Sequence, residues 1–160
     1  MDFIELKPGH EDVVNDLVFN YYGKRLASCS ADKKIKVWTL DESKQEWLSE
    51  DVSTRAHQDN IWRLSWAHPE FGQLLASCSE DGTAKIWVEQ ETLSSQIKWV
   101  SKATLSDSKK PLNDVKFANR ALGLRLATAS ADGHLRIYEA RSPFDPSTWT
   151  LNVREKINTI

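Results

Sequence analysis

A serine, a histidine and an aspartate are the members of a nucleophilic triad, in which a carboxylate orients the imidazole that takes the serine proton. This chain carries that set twice in the same order, as His10, Ser28, Asp32 and as His57, Ser77, Asp81. Six residues after each aspartate stands a tryptophan, Trp38 and Trp87. A third stretch keeps Thr128 and Asp132, has Tyr138 in the tryptophan place, and has no histidine ahead of Leu112. Recurrence argues against catalysis, because an active site is built once whereas structural parts return with every copy of a repeat. Glu80-Asp81 would be an acid pair, but adjacent strand residues point to opposite faces. His57, His68 and Cys78 have no metal-ligand spacing, and no glycine-rich phosphate loop is present. The expectation is an interaction module with no catalytic, cofactor or metal residues.

The elements that position these residues are set by a repeat, which fixes architecture before any detail does. Leu26-Ala27-Ser28-Cys29-Ser30-Ala31-Asp32, Leu75-Ala76-Ser77-Cys78-Ser79-Glu80-Asp81 and Leu126-Ala127-Thr128-Ala129-Ser130-Ala131-Asp132 recur about fifty residues apart. Each gives a small-residue strand, an aspartate at a tight turn, and a second strand closing on an aromatic. Asp81-Gly82 and Asp132-Gly133 are strong hairpin signals, since such turns need residues that tolerate positive φ. Asp32-Lys33-Lys34 lacks the glycine, so its turn is expected to take another form. Trp47, Trp99 and Trp149 also recur, each opening an extended run after the hairpin. Aromatics repeated once per unit suggest sheets stacked face to face, as in a propeller.

The 160 residues carry 21 basic and 23 acidic side chains, a formal net charge of −2. This offers no general nucleic-acid footprint. Lys33, Lys34 and Lys36 are the densest basic cluster, with Lys34 and Lys36 on one expected strand face turned to solvent. No apolar run approaches a membrane span, and Met1-Asp2-Phe3-Ile4-Glu5-Leu6 is no signal peptide, so the chain reads as intracellular and soluble. Cys29 and Cys78 occupy equivalent small-residue strands and read as two buried thiols rather than a disulfide.

In order, a short strand at 2–6 (Phe3, Ile4, Leu6) ends at Lys7-Pro8-Gly9. A first unit over 10–54 has strands at Val14–Phe19, Leu26–Ser30, Ile35–Thr39 and about Glu46–Ser53. A second over 57–105 has Ile61–Trp66, Leu74–Ser79, Thr83–Val88 and Ile97–Leu105, with Trp62, Leu64 and Trp66 alternating against Arg63 and Ser65. A third over 112–154 has Leu112–Phe117, Leu124–Ser130, His134–Tyr138 and Thr148–Arg154. Polar loops are expected at 40–45, 89–96 and 139–147, and no helix of useful length. The fold class is all-β, a propeller of three four-stranded blades.

Ser-x-Ser-x-Asp followed by (Ile/Val)-Trp, with His10 and His57 upstream, resembles the WD40 repeat. The resemblance implies a hydrogen-bonded network of His, Ser or Thr, Asp and Trp: His10, Ser28, Asp32, Trp38 in one blade and His57, Ser77, Asp81, Trp87 in the next. Of that network the third blade keeps only Thr128 and Asp132, which implies a looser blade.

Longer strings are similar to two sister WD40 scaffold families, the Seh-type nucleoporins of the Y-shaped nuclear-pore complex and the Sec-thirteen protein of the COPII vesicle coat. They include Tyr22-Gly23-Lys24-Arg25-Leu26-Ala27-Ser28 and Trp62-Arg63-Leu64-Ser65-Trp66-Ala67-His68-Pro69-Glu70-Phe71-Gly72. Asp114-Val115-Lys116-Phe117-Ala118, Ala131-Asp132-Gly133-His134-Leu135-Arg136-Ile137-Tyr138 and Ser147-Thr148-Trp149 resemble the Seh type. That resemblance implies a non-enzymatic scaffold subunit and a six-bladed open propeller, of which this chain holds about half. It further implies a helical-solenoid nucleoporin inserting a blade in trans beside Phe3, Ile4 and Leu6, other Y-complex subunits as partners, and a second role in the SEA/GATOR complex of TOR signalling. Nuclear-pore localisation, with a vacuolar or lysosomal membrane surface for the second role, goes with it. Neither direct nucleic-acid contact nor membrane insertion is expected. COPII coat assembly is the alternative within scaffolds, and a propeller hydrolase the alternative of another class.

Overall fold

The small-residue strands dictate the architecture, because two sheets can pack closely only where their facing side chains are short or interdigitate. In a computed structural model describing Leu6 and residues 9–94 and 96–156, twelve strands form three antiparallel sheets of four. The first sheet is β1 (Val14–Phe19), β2 (Arg25–Ser30), β3 (Ile35–Asp41) and β4 (Glu46–Ser53). The second is β5 (Ile61–Trp66), β6 (Leu74–Ser79), β7 (Ala84–Glu91) and β8 (Ile97–Leu105). The third is β9 (Leu112–Phe117), β10 (Arg125–Ser130), β11 (His134–Ser142) and β12 (Asp145–Lys156). Neighbours in sequence are neighbours in each sheet, the meander of a propeller blade. Helical structure among the described residues is limited to two 3-10 turns, Pro69–Phe71 and Arg120–Leu122, and no helix is long and apolar enough to cross a membrane.

Ala27, Cys29, Ile35 and Val37 of the first blade are buried against Ile61, Leu64 and Trp87 of the second. Ala76, Cys78, Ala84 and Ile86 meet Leu112, Val115 and Tyr138 in the same way. Each unit thus buries one sheet face against the next, which is why no unit can supply its own core. Both cysteines are free and buried, and burial pushes the Cys78 thiol up to about 12 and Cys29 up as well.

A knob set on an aromatic pair completes each joint. Trp66 and Trp99 lie with ring centroids 5.9 Å apart, and the Arg25 guanidinium of the preceding blade sits 5.8 and 5.4 Å from the two rings. Arg25 also donates to Glu89 at 2.6 Å and Glu50 at 3.0 Å, so its charge is compensated on both sides of the joint. At the second joint the knob is Leu74, which packs with Phe117 and Trp149, themselves 6.5 Å apart. Arg25 and Leu74 hold the same place, opening the second strand of their blades.

Several expectations change. Lys33 adopts φ 69°, matching Gly82 and Gly133 at φ 80°, and its N–H reaches Ser30 O as those of Gly82 and Gly133 reach Ser79 O and Ser130 O. The first hairpin therefore keeps the common turn and forces a lysine into it. Lys36 is not solvated: it is buried and pairs with Asp51 at 2.6 Å, while Lys34 precedes the strand and meets Glu11 at 3.1 Å. Much of the expected loops is strand, with Asp41 paired to Glu46, Glu91 to Ile97 and Ser142 to Asp145. Their polar composition reads as loop, but ladder hydrogen bonds use the backbone and are indifferent to outward side chains. A bulge between Ile61 and Arg63 breaks the alternation, placing Ile61 with Leu64 toward the first blade and Trp62 toward the third. Of the expected edge strand, Phe3 and Ile4 lie outside the described residues, and Leu6 is partly buried and in no strand.

Candidate functional site

The three hairpins bring their polar residues to one place per blade, and the second blade shows the build most fully. The Trp87 indole N–H donates to Ser77 Oγ at 2.9 Å, and Ser77 Oγ lies 2.7 Å from His57 Nε2. His57 Nδ1 lies 3.0 Å from Asp81 Oδ2. Asp81 further accepts from Gln58 N, Thr83 N and Thr83 Oγ1. Burial holds the His57 imidazole below its ordinary 6.5 despite the facing carboxylate, so the ring is neutral. A neutral ring has one donor nitrogen and one acceptor, and Asp81 can only accept. The chain of donors is then fixed: indole to Ser77, Ser77 hydroxyl to Nε2, Nδ1–H to Asp81. Burial opposes ionisation of Asp81, but hydrogen bonds from His57, Thr83 and Gln58 outweigh it and hold the carboxyl well below 3.8.

The first blade repeats this arrangement. His10 Nδ1 is 2.9 Å from Asp32 Oδ2 and Nε2 is 2.8 Å from Ser28 Oγ, while Trp38 donates to Ser28 at 3.1 Å. The second serine of each motif has its own task. Ser30, Ser79 and Ser130 accept from the N–H of Asp32, Asp81 and Asp132, and donate to carbonyls of Asp12, Asp59 and Pro111. They tie the hairpin turn to the segment entering the blade.

In the third blade Ser108 stands four residues ahead of β9, where His10 and His57 stand ahead of β1 and β5. Its hydroxyl reaches Ser130 at 2.7 Å and Asp132 only at 3.4 Å. The imidazole's place is taken by Arg136, whose guanidinium grips Asp132 through two bonds of 2.5 and 3.2 Å. Arg136 is paired across the ladder with Thr128, as Lys36 is with Ser28 and Lys85 with Ser77. The blade therefore exchanges a neutral relay for a buried ion pair rather than losing its anchor. Arg136 lowers the Asp132 carboxyl, with His134 N–H and Ser130 adding to it against burial. Thr128 is buried, and its hydroxyl makes no hydrogen bond of good geometry beside the Tyr138 phenol. Burial, reinforced by Asp107, raises the Tyr138 phenol. The signal for Arg136 was present in the sequence: a missing histidine together with a longer, forked cation where the other repeats have lysine.

Distances in the second blade satisfy a Ser-His-Asp triad, and the environment removes its chemistry. Ser77 and His57 are both 0% exposed, so no substrate carbonyl can approach. The serine oxygen already accepts the Trp87 N–H, and His57 is wedged between Asp81 and Ser77. Glu80 lies in the turn beside Asp81 and accepts from the Trp62 indole at 2.7 Å, which leaves no acid pair. Among the described residues no group of His, Cys, Asp and Glu could hold a metal ion. In the first two blades the structure holds together what the sequence placed together, as a brace inside the blade.

The remaining functional feature is surface. The first blade exposes Val14, Leu17 and Phe19 on the face that corresponds to the buried leading faces of the other two.

Comparison with known proteins fits this build. The family described as WD domain, G-beta repeat matches residues 3–39 and 49–88. The third blade, which has no histidine just ahead of its first strand and has Tyr138 in the place of Trp38 and Trp87, falls outside those residues. Nucleoporin seh1 of Drosophila melanogaster is 53% identical over 146 residues, covering 88% of this chain and 41% of the relative. Nucleoporin SEH1 of Homo sapiens is 46% identical over 147 residues, 89% of this chain and 40% of the relative. Nucleoporin SEH1 of Saccharomyces cerevisiae is 44% identical over 155 residues, 95% and 44%. The chain spans about two fifths of the length of these relatives. Three blades of one build, braced by this network and matched over most of their length, make the chain a WD40-repeat β-propeller protein of the Seh nucleoporin type.

Proposed function

We propose that the chain belongs to a non-enzymatic scaffold subunit of the nuclear pore, placed in the outer-ring Y complex. The observation that carries the reading is the likeness to nucleoporins over about nine-tenths of the chain. The buried Ser77 and His57, closed to any substrate, agree with it. In this reading a helical-solenoid nucleoporin supplies a blade in trans against the first blade, whose leading face exposes Leu17 and Phe19 among the described residues. A strand added beside a free sheet edge gains main-chain hydrogen bonds, and alternate side chains give specificity. A second role in the SEA/GATOR complex, at a vacuolar or lysosomal surface, belongs to the same proposal.

The experiment is affinity purification of the full-length protein followed by mass spectrometry of what accompanies it. Pore outer-ring subunits are expected. Vesicle-coat subunits instead would overturn the reading and favour the COPII alternative. Deletion of residues 2–6, or Ile4→Pro, in the same full-length protein tests the leading edge. Loss of the solenoid partner from a folded protein is expected, and unchanged partner affinity would move the binding site elsewhere.

A further inference from the structure

Three loops at one end of the blades meet around an open groove of about 550 Å³. Each loop follows the first strand of its blade, after β1, β5 and β9. The floor is fixed by bonds between blades: the Trp66 indole donates to Val18 O at 3.1 Å, and Phe117 N donates to Ser65 Oγ at 3.0 Å. Blades are added around the propeller axis, against sheet faces, so further blades on either side leave these loop ends uncovered.

The loops supply hydrogen-bond donors through one local device. Asn20 Oδ1 accepts from the N–H groups of Lys24 and Arg25, both at 3.1 Å, and Asn119 Oδ1 accepts from Ala121 N at 3.0 Å. A backbone N–H can only donate, so each side-chain oxygen is committed to its loop and the amide NH2 is left over. His68 Nδ1 accepts from Glu70 N at 3.2 Å, which puts the ring proton on Nε2. Asn20, His68 and Asn119 all line the groove, and their leftover N–H groups make no hydrogen bond among the described residues.

Lys116 and Arg120 add two exposed cations to the lining, and no carboxylate belongs to it among the described residues. The carboxylates they face, Asp114 and Glu70, stand at 3.9 and 4.0 Å outside the groove. Such exposed pairs contribute little, so both charges are available to a ligand. Tyr21 bridges the first and second blades: its ring meets His68 edge-on with centroids 4.8 Å apart, while 68% of the residue stays exposed.

These groups select a ligand class. Donors on three separate loops suit an extended chain with several acceptors rather than one compact anion. Single-stranded nucleic acid is extended and anionic too, but it is held on aromatic faces where successive bases stack. Tyr21 and Tyr22 stand at 86° to one another and offer no such pair of faces, and the chain carries a formal net charge of −2. A carboxylate-rich peptide needs donors, cations and an apolar rest, and Tyr21 supplies the rest.

We infer that this groove is a docking site for an acidic peptide segment of a partner protein. Its carboxylates take the N–H groups of Asn20, His68 and Asn119 and the charges of Lys116 and Arg120, and an apolar side chain between them lies on Tyr21. The inference goes beyond the scaffold reading and does not rest on it. An inserted blade occupies a sheet face, whereas this groove lies at the ends of the sheets, so both sites can be filled at once.

The test is selection from a phage-displayed library of random short peptides on the full-length protein, with a Lys116→Glu, Arg120→Glu double variant as counter-target. Selected peptides are expected to be enriched in Asp and Glu over the starting library and to be lost on the double variant. The most enriched peptide, synthesised with a fluorescent label, should bind each single charge reversal about three- to tenfold more weakly by anisotropy. Tyr21→Ala should weaken it as well, and added salt should weaken the parent complex. All three positions are exposed, so the variants should melt like the parent. The protein lacking residues 2–6 should bind the peptide unchanged, which separates this site from the trans-blade edge. Failure to select any peptide, selection without acidic enrichment, equal binding by parent and variants, or displacement of the peptide by a U-rich RNA oligonucleotide that binds more tightly would each overturn the proposal.

Discussion

Asp132→Ala should be the most damaging of the three aspartate substitutions, because of what it leaves behind. Arg136 is 1% exposed, and Asp132 is the acceptor for both of its terminal nitrogens. The guanidinium cannot deprotonate, so removing the carboxylate strands a buried charge, at a cost of about 3–5 kcal/mol. Asp81→Ala strands only neutral donors, the N–H groups of His57 and Gln58 and the Thr83 groups, at a cost of about 1–3 kcal/mol. The difference appears as a lower urea midpoint for Asp132→Ala than for Asp81→Ala at an unchanged slope. A second substitution isolates the charge. Arg136→Met keeps the stem that packs in the blade and removes the cation, so it should recover stability in the Asp132→Ala background while costing stability alone. If Asp132→Ala is no worse than Asp81→Ala, or Arg136→Met recovers nothing, the ion pair does not replace the histidine relay.

Lys33→Gly should leave stability unchanged or raise it by up to about 1 kcal/mol, since relief at φ 69° works against glycine's extra chain entropy. Gly82→Ala should instead lower the thermal midpoint, because its Cβ would lie 3.2 Å from Lys110 O at φ 80°; equal melting of the two variants would contradict the shared turn. Stability should be flat from about pH 7 to 8, fall at higher pH as unfolded thiols ionise while buried Cys29 and Cys78 stay protonated, and fall in two stages on acidification. Below 6.5 the unfolded chain takes up a proton that buried His57 resists, and below 3.8 unfolded carboxylates protonate while Asp81 and Asp132 stay ionised. In both stages the unfolded state binds more protons, so a urea midpoint that rises on acidification from pH 7 to 5 would reverse the sign of the argument.

The repeat made the blades legible, because each hairpin carries small residues, an aspartate turn and an aromatic at constant spacing, and the structure turns that spacing into register. The brace was legible in two blades for the same reason. Arg136 was missed because the replacement comes from a different strand than the residue it replaces: Ser108 ahead of β9 gives up the role and β11 supplies it. The buried Lys36 was misread because amphipathic stems lie along apolar surface while the charge finds Asp51, something strand alternation alone does not convey. The joints were illegible for another reason. Arg25 touches Trp66, Glu89 and Trp99, residues far along the chain whose meeting depends on how blades stack rather than on any local pattern.

Nuclear magnetic resonance of the His57 ring nitrogens tests most directly whether the repeated Ser-His-Asp set is a structural brace. The buried relay requires a neutral ring protonated at Nδ1, with Nε2 bare and accepting from Ser77. The two nitrogen-15 shifts should therefore be widely separated, with Nδ1 the protonated one, and should stay unchanged from about pH 8 down through 6.5. A ring that titrates near 6.5, or carries its proton on Nε2, would mean that the site is open to solvent and that the brace is not formed.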